Sequence, residues 1–185
     1  MPLIAGHLNM APAAPWVTRF SALVEPGSTV LDVAAGSGRH ARYFLDHGCK
    51  VTAVDRDVSR LEDLRTSAEI IQADLEDGSP FPLAGRQFDC IVVINYLHRP
   101  LLPALVSAVA PGGLFVYETY AKGHERFARP TNPDFLLDDG ELLRAVAGRL
   151  NVLAYGSGII ERPKPMVIQR IAAVNAPVNE TRLPP

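Results

Sequence analysis

The sequence predicts an α/β fold, in which a Rossmann-like, doubly wound sheet of seven strands is mostly parallel and ends in a C-terminal antiparallel hairpin. Three observations predict it. Apolar strand-like segments alternate with helical segments through the first five strands. The glycine-containing turn "GSGRHA" follows the first strand. Only "ERPKP" joins the last two strands, and a parallel crossover needs about a dozen residues.

The strand-like segments are short apolar runs bounded by polar or glycine-containing turns. They cover residues 29–33, 50–55, 69–74, 88–95, 114–119, 151–160 and 166–174. The fourth, "FDCIVVIN", is apolar almost throughout, as is typical of a strand buried on both faces. These strands therefore belong to the interior of the domain.

The helical segments carry apolar residues at helical spacing, and each has a start or stop signal. Pro15 suits the first turn of a short helix, Gly48 closes the second helix, Asp57 caps the third, and Pro103 lies in the first turn of the fourth. The later helices are predicted over 39–48, 57–64, 101–109 and 138–150, and "PGG" turns the chain into the fifth strand.

The connection between the third and fourth strands, "EDGSPFPLAGRQ", is predicted to hold no long helix because it contains two prolines and two glycines. An extended segment of this length reaches about 40 Å. That reach is enough to pass the first two strands and return to the other end of the sheet.

A chain of 185 residues is long enough for one domain with a full core. We expect a flexible N-terminal segment over 1–14, one domain over 15–175, and a frayed tail over 176–185.

Composition excludes several classes of partner. A net charge of −2 shows no basic excess for nucleic acid, and no apolar run approaches the roughly 20 residues that cross a bilayer. Cys49 and Cys90 lie in apolar stretches typical of buried thiols, and no cysteine–histidine pattern indicates a metal site. No secretory signal is visible. We expect a cytoplasmic protein.

The turn after the first strand fits two cofactors. Its glycines allow backbone amides to approach either a dinucleotide pyrophosphate or the amino-acid part of S-adenosylmethionine (SAM). Asp32 favours SAM, because a carboxylate four residues before Gly36 would repel a pyrophosphate but can help to hold an ammonium group, through water.

Acidic residues also end the next two strands. Asp55 can accept hydrogen bonds from both hydroxyls of a ribose, in either class of site. Asp74 can accept from an adenine amino group. Asn95 and Tyr96 end the fourth strand at the same edge, where open parallel sheets bind ligands.

Five motifs carry a family resemblance: "DVAAGSGRH", "AVDRD", "QADLED", "FDCIVVINYLH" and "APGGLFVYET". From about Trp16 to Tyr120 the chain resembles the class I SAM-dependent methyltransferases, and within them the small stand-alone, tellurite-resistance-type proteins. Ala34 replaces the first glycine of the family motif, so we expect an ordinary negative φ there. The resemblance implies SAM as the cofactor and a set of cofactor-binding residues: Arg19, Asp32, Ala34, Ala35, Gly36, Ser37, Gly38, Asp55, Arg56, Asp74, Leu75, Asn95 and Tyr96.

Catalytic residues are less evident, because a methyltransferase mainly has to align a nucleophile with an activated methyl group. His98, Tyr96 and Tyr120 are the candidates. "NYLH" is not the Asn-Pro-Pro-aromatic motif of enzymes that methylate exocyclic amines, so such an acceptor is disfavoured.

Two segments outside the motifs have alternative interpretations. Residues 121–135 form either a lid, in which His124, Arg126 and Arg129 recognise an anionic substrate, or an ordinary solvated loop. In the N-terminal segment, Arg19 could face the SAM carboxylate, whereas Trp16 is equally well explained as a hydrophobic anchor.

The resulting hypothesis is transfer of a methyl group from SAM to a small-molecule acceptor. An NAD(P)-dependent reductase and a non-catalytic SAM-binding regulator are the alternatives.

Overall fold

The computed structural model describes residues 10–184, so residues 1–9 of the segment predicted to be flexible, and Pro185 of the predicted tail, lie outside the described residues. The strands are β1 Thr29–Val33, β2 Lys50–Asp55, β3 Glu69–Gln72, β4 Phe88–Ile94, β5 Val109–Tyr120, β6 Asn151–Ile160 and β7 Met166–Val174. The α-helices are α1 Pro15–Phe20, α2 Arg39–Asp46, α3 Leu102–Ser107 and α4 Glu141–Val146.

The seven strands form one sheet in the order β3-β2-β1-β4-β5-β7-β6. Strands β1 to β5 pair in parallel, and β7 pairs antiparallel with both β5 and β6. The predicted fold class is confirmed. The strand order reverses between β1 and β4, and the carboxyl ends at such a switch point are where open α/β sheets bind ligands.

Both faces of the sheet are buried. Val30, Val92 and Val116 pack with α1 and α2 on one face, whereas Leu31 and Ile91 belong to the cluster on the other face with α3 and α4. Neighbouring residues of a strand point to opposite faces, so a strand buried on both sides must be apolar throughout. The two cysteines are buried and free, as expected.

The predicted helix over 57–64 is wrong. Only a 3₁₀ turn, Glu62–Leu64, forms there. The Asp57 carboxylate accepts a hydrogen bond from the Ser59 amide at 3.0 Å, because short polar side chains stabilise turns that compete with helix. The last helix is also shorter than predicted, since Gly140, with φ of 65°, starts α4 at Glu141.

Strand β5 begins earlier than predicted. Phe88 pairs with Val109 and Cys90 pairs with Leu114, so "APGG" forms a bulge within the strand instead of a turn before it. The connection between β3 and β4 holds no helix, as predicted. No helix among residues 10–184 is long and apolar enough to cross a membrane.

Candidate functional site

A cavity of about 410 Å³ opens at the carboxyl ends of the parallel strands. Its walls come from the ends of β2, β4 and β5, the residues after β1 and β3, and the segment that follows β5. The lining residues are Ala34, Asp55, Arg56, Ala73, Asp74, Leu75, Glu76, Asn95, Tyr96, Leu97, Thr119, Tyr120, Pro130 and Phe135.

The loop after β1 turns tightly. Gly36 and Gly38 have φ of 56° and 74°, and the Gly38 amide donates to the Ala35 carbonyl at 2.8 Å. Ala34 has φ of 52°, so the expectation of a negative φ is wrong. The Ala35 amide donates to the Val54 carbonyl at 3.1 Å, which ties the loop to β2 directly after the turn at Ala34. Ala34 lines the cavity, whereas the other predicted loop residues, Ala35, Gly36, Ser37 and Gly38, are not among its lining residues.

Asp55 connects this loop to the end of β2. One carboxylate oxygen accepts from the Gly36 amide at 2.7 Å, and the other accepts from the Asp57 amide at 2.9 Å. Each oxygen keeps acceptor capacity, because an ionised carboxylate offers about four lone-pair sites. The side chain is thus held in one orientation on the cavity wall and can still accept from a ligand.

Asp32 lies under the loop and not on the cavity wall. It is 1% exposed, and its Oδ2 accepts from the Ala41 amide at 3.0 Å. Burial raises the pKa of this carboxyl group to about 7, although the Ala41 hydrogen bond and the Arg39 charge oppose the shift. Asp32 therefore stabilises the first turn of α2, which follows the glycine loop.

His40 links that helix turn to the N-terminal segment. Its Nε2 accepts from the Ala14 amide at 3.3 Å, and its Nδ1 lies 3.9 Å from Asp32 Oδ1. Burial and the nearby Arg39 charge lower the pKa of His40 to about 3, so the ring is neutral and an acceptor at Nε2. Arg39 donates to the Pro12 carbonyl at 3.2 Å. No sequence pattern predicts these two contacts, which join residues 26 and 27 positions apart.

Asp74 and Tyr96 form the wall on the β3–β4 side. Asp74 accepts from the Glu76 amide at 2.9 Å. The Tyr96 hydroxyl is buried and makes no hydrogen bond of standard geometry, although the Glu76 carboxylate lies beside it. Burial and the nearby carboxylates of Glu76 and Asp74 raise the pKa of Tyr96, so it remains a phenol. Tyr117 fixes the backbone here by donating to the Tyr96 carbonyl at 2.7 Å.

Two predicted residues lie elsewhere. His98 lines a smaller, neighbouring cavity of about 220 Å³, which shares Asp74 and Leu75 with the first. Arg19 is exposed, with its guanidinium 5.5 Å from the centre of the Phe20 ring. Trp16 is buried and donates to the Ile171 carbonyl at 3.1 Å, as a hydrophobic anchor would.

The segment over 121–135 reaches the cavity through Pro130 and Phe135 and not through its basic residues. Arg126 and Arg129 are exposed and absent from the lining, and the Arg126 Nε donates to the Gly123 carbonyl at 3.0 Å. His124 is buried and stacks on Tyr120, with ring centres 4.2 Å apart.

Six lining residues were absent from the sequence-based set: Ala73, Glu76, Leu97, Thr119, Pro130 and Phe135. The first four adjoin predicted residues at strand ends, so the strand pattern could have found them. Pro130 and Phe135 lie far along the chain, and only the length of their segment pointed to them.

The chain matches a protein family described as "Methyltransferase domain" over residues 30–113. It is 32% identical over 100 residues to a malonyl-[acyl-carrier protein] O-methyltransferase of Enterobacter lignolyticus, a match that covers 50% of this chain and 39% of the relative. It is 40% identical over 94 residues to a ribosomal protein L11 methyltransferase of Burkholderia mallei, covering 49% and 31%. The matches thus span less than half the length of these curated relatives.

Solved structures show the same fold. TehB from Haemophilus influenzae matches with a TM-score of 0.73 at 18% identity, over 90% of this chain and 64% of that one. The N-methyltransferase NodS from Bradyrhizobium japonicum matches with a TM-score of 0.66 at 16% identity, over 87% and 93%. Over residues 30–113 the chain thus resembles the methyltransferase domain family, and its sheet order is that of the fold it shares with these solved structures.

Proposed function

We propose that the protein transfers a methyl group from SAM to a small-molecule acceptor. One observation carries the proposal: Asp55 and Asp74, at the ends of neighbouring parallel strands, line the same cavity as Ala34 of the glycine loop. This cavity lies at the switch point of the sheet.

The lining fits SAM in three respects. Asp55 is held by two amides and can accept from a ribose diol. Asp74 can accept from an adenine amino group beside the Leu75 amide. The Tyr96 side chain lines the cavity beside Asp74 and can pack on the adenine. The proposed binding set also includes Asn95 and Ala34, which line the same cavity.

SAM supplies a methyl group activated on a sulfonium. The protein's own residues then bind the cofactor, orient its methyl group and shield the site from water. Three carboxylates, Asp55, Asp74 and Glu76, line the cavity against one guanidinium, Arg56, so the wall favours a cationic cofactor. The N-terminal residues 12–14, held by Arg39 and His40, cover the first turn of α2 behind the loop. The chain's role is thus to place the methyl group and the acceptor in line.

Titration calorimetry with SAM, S-adenosylhomocysteine, NADH and NADPH tests the cofactor. We expect both sulfur compounds to bind and neither nicotinamide nucleotide to bind, because a pyrophosphate would face the acidic wall. Tight NADPH binding without S-adenosylhomocysteine binding would instead support a reductase.

Incubation with methyl-labelled SAM and a pool of small metabolites tests the transfer. We expect labelled products that depend on the protein and disappear with Asp55→Ala. Binding of SAM with no label in any product would support a non-catalytic regulator.

A further inference from the structure

We infer that the acceptor is an uncharged nitrogen heterocycle, whose flat ring binds against Tyr120 and Phe135. The inference rests on the proposed function, because it concerns the part of the same cavity that the nucleoside leaves free. Once Asp55, Asp74 and Leu75 are assigned to the nucleoside, together with their neighbours Arg56 and Glu76, the opposite wall comes from β5 and the segment that follows it.

This remaining wall is aromatic and uncharged. It consists of Thr119, Tyr120, Pro130 and Phe135, with Asn95 at its edge. Phe135 is 42% exposed, although it is a large apolar side chain beside a cavity. Aromatic rings bind flat ligands through stacking and edge-to-face contacts, each about 0.5–1.5 kcal/mol beyond the area that they bury. An exposed ring at this position favours a flat, apolar ligand.

The two rings are held before a ligand arrives. Tyr120 stacks on the buried His124, whose Nε2 lies 3.1 Å from the Arg129 carbonyl oxygen. Arg99 donates to the carbonyls of Asp134 and Leu136, on either side of Phe135, at 2.8 Å each. Ligand binding therefore costs these two side chains little conformational entropy.

The charges around the cavity disfavour an anionic acceptor. The lining contains the carboxylates of Asp55, Asp74 and Glu76, and its one basic side chain, Arg56, adjoins Asp55 on the ribose side. Arg126 and Arg129, which the sequence suggested as anion ligands, are exposed and outside the lining. An anionic acceptor would thus face three carboxylates, and the lining guanidinium, Arg56, adjoins one of them, Asp55.

The lining also contains no strong base among the described residues. His98 faces the other cavity, and the raised pKa of Tyr96 keeps that phenol protonated. Carboxylates are much weaker bases than the anions of alcohols and phenols. The acceptor atom must therefore offer a lone pair without first losing a proton, which a neutral ring nitrogen does and a hydroxyl group or a protonated amine does not.

The transfer then balances without a base. The nitrogen lone pair forms the new N–C bond as the S–C bond breaks, and the electron pair of that bond stays on sulfur. The positive charge moves from the sulfonium to the ring nitrogen. The carboxylates on the cavity wall favour a cation at the acceptor as they did at the cofactor.

The test measures binding to the full chain saturated with S-adenosylhomocysteine, with quinoline as the neutral heterocycle and naphthalene-2-carboxylate as the anion of similar shape. Calorimetry first establishes that S-adenosylhomocysteine binds; if it does not, the proposed function itself fails. With the nucleoside bound, we expect quinoline to bind at least about tenfold more tightly than the carboxylate, and mass spectrometry with SAM to detect N-methylquinolinium.

Two variants locate the binding surface. Phe135→Ala is expected to weaken quinoline binding by about two- to tenfold, with S-adenosylhomocysteine affinity unchanged. Phe127→Ala is the matched control, because Phe127 is 43% exposed in the same segment but does not line the cavity. Tighter binding of the carboxylate than of quinoline, or equal effects of the two variants, would overturn the inference while leaving SAM binding intact.

Discussion

Among single residues, Ala34 has the least favourable backbone conformation at the site. Its φ of 52° is in the left-handed region, which costs an L-residue with a Cβ atom about 1–2 kcal/mol. Glycine avoids that cost but loses more entropy on folding. The loop geometry thus explains why glycine is the usual residue at this position of the family motif.

We predict that Ala34→Gly raises the free energy of unfolding by about 0.5–1 kcal/mol, measured by urea denaturation. Ala35→Gly serves as the control, because Ala35 is buried without a positive φ and its change should destabilise the protein. Destabilisation by both changes would show that the Ala34 methyl group contributes more through packing than it costs in strain.

Asp55 is the residue whose removal should affect the cofactor most directly. Loss of its charge-assisted hydrogen bonds to the ribose, together about 1.5–3 kcal/mol, should lower S-adenosylhomocysteine affinity about ten- to a hundredfold in Asp55→Ala. Asp77→Ala removes an exposed carboxylate outside the cavity and should leave the affinity unchanged. Calorimetry compares the two, and an unchanged affinity in Asp55→Ala would remove Asp55 from the ribose site.

At the level of elements, β1, α2 and the N-terminal segment are joined through Asp32 and His40. The pKa of Asp32 is raised from 3.8 to about 7, so between these values the folded protein holds a proton that the unfolded chain has lost. Its contribution to stability therefore falls as pH rises. The pKa of His40 is lowered from 6.5 to about 3, so the unfolded chain holds the extra proton and the contribution of His40 rises with pH.

The two opposite slopes, each about 1.4 kcal/mol per pH unit, should largely cancel between pH 3.8 and 6.5. We predict that the stability of Asp32→Asn rises with pH relative to the natural protein, and that the stability of His40→Gln falls. Urea denaturation across this window measures both, with the exposed Asp46→Asn as control. Parallel profiles for all four proteins would contradict the assignment.

A second link between elements is Arg99, which joins α4 to the segment that carries Phe135. Its Nε and Nη2 pair with the Glu141 carboxylate at 2.7 and 2.9 Å, while Nη1 and Nη2 donate to backbone carbonyls of the segment. A lysine cannot form this planar fork. Arg99 thus ties the end of the segment over 121–135 to α4.

We predict that Arg99→Lys speeds tryptic cleavage within residues 121–135 about three- to tenfold, since local opening becomes easier by about 1 kcal/mol. Arg65→Lys is the matched control, because Arg65 pairs only with Glu62 on the surface. Equal cleavage rates in the two variants would mean that the segment is held by other contacts.

For the whole molecule, cofactor binding should increase the free energy of unfolding. A ligand at a hundred times its Kd stabilises the folded state by about 2.7 kcal/mol. For a domain of this size that corresponds to a Tm increase of about 5–10 °C. We predict this shift with S-adenosylhomocysteine and none with NADH in a thermal unfolding experiment; a comparable shift with NADH would support a dinucleotide site.

Much of the molecule follows from local sequence. The alternation of apolar runs and helical segments predicts that β1 to β5 run parallel, and the short "ERPKP" connection predicts the antiparallel pair β6–β7. Parallel strands end at the same edge, so Asp55, Asp74 and Asn95 were expected together, and the structure places them on one cavity.

Other features depend on contacts between residues far apart in the chain. Short runs such as 57–64 have no decisive local preference for helix over turn. In this run Asp57 forms a turn instead of capping a helix. The sequence by itself determined which strands run parallel, that the last two form an antiparallel hairpin, and which edge carries the acids, because side-chain period and connection length are local properties. Only the tertiary structure decided that Asp32 lies beneath the loop and that Phe135 returns to the cavity, because burial and long-range hydrogen bonds exist only after the chain has folded.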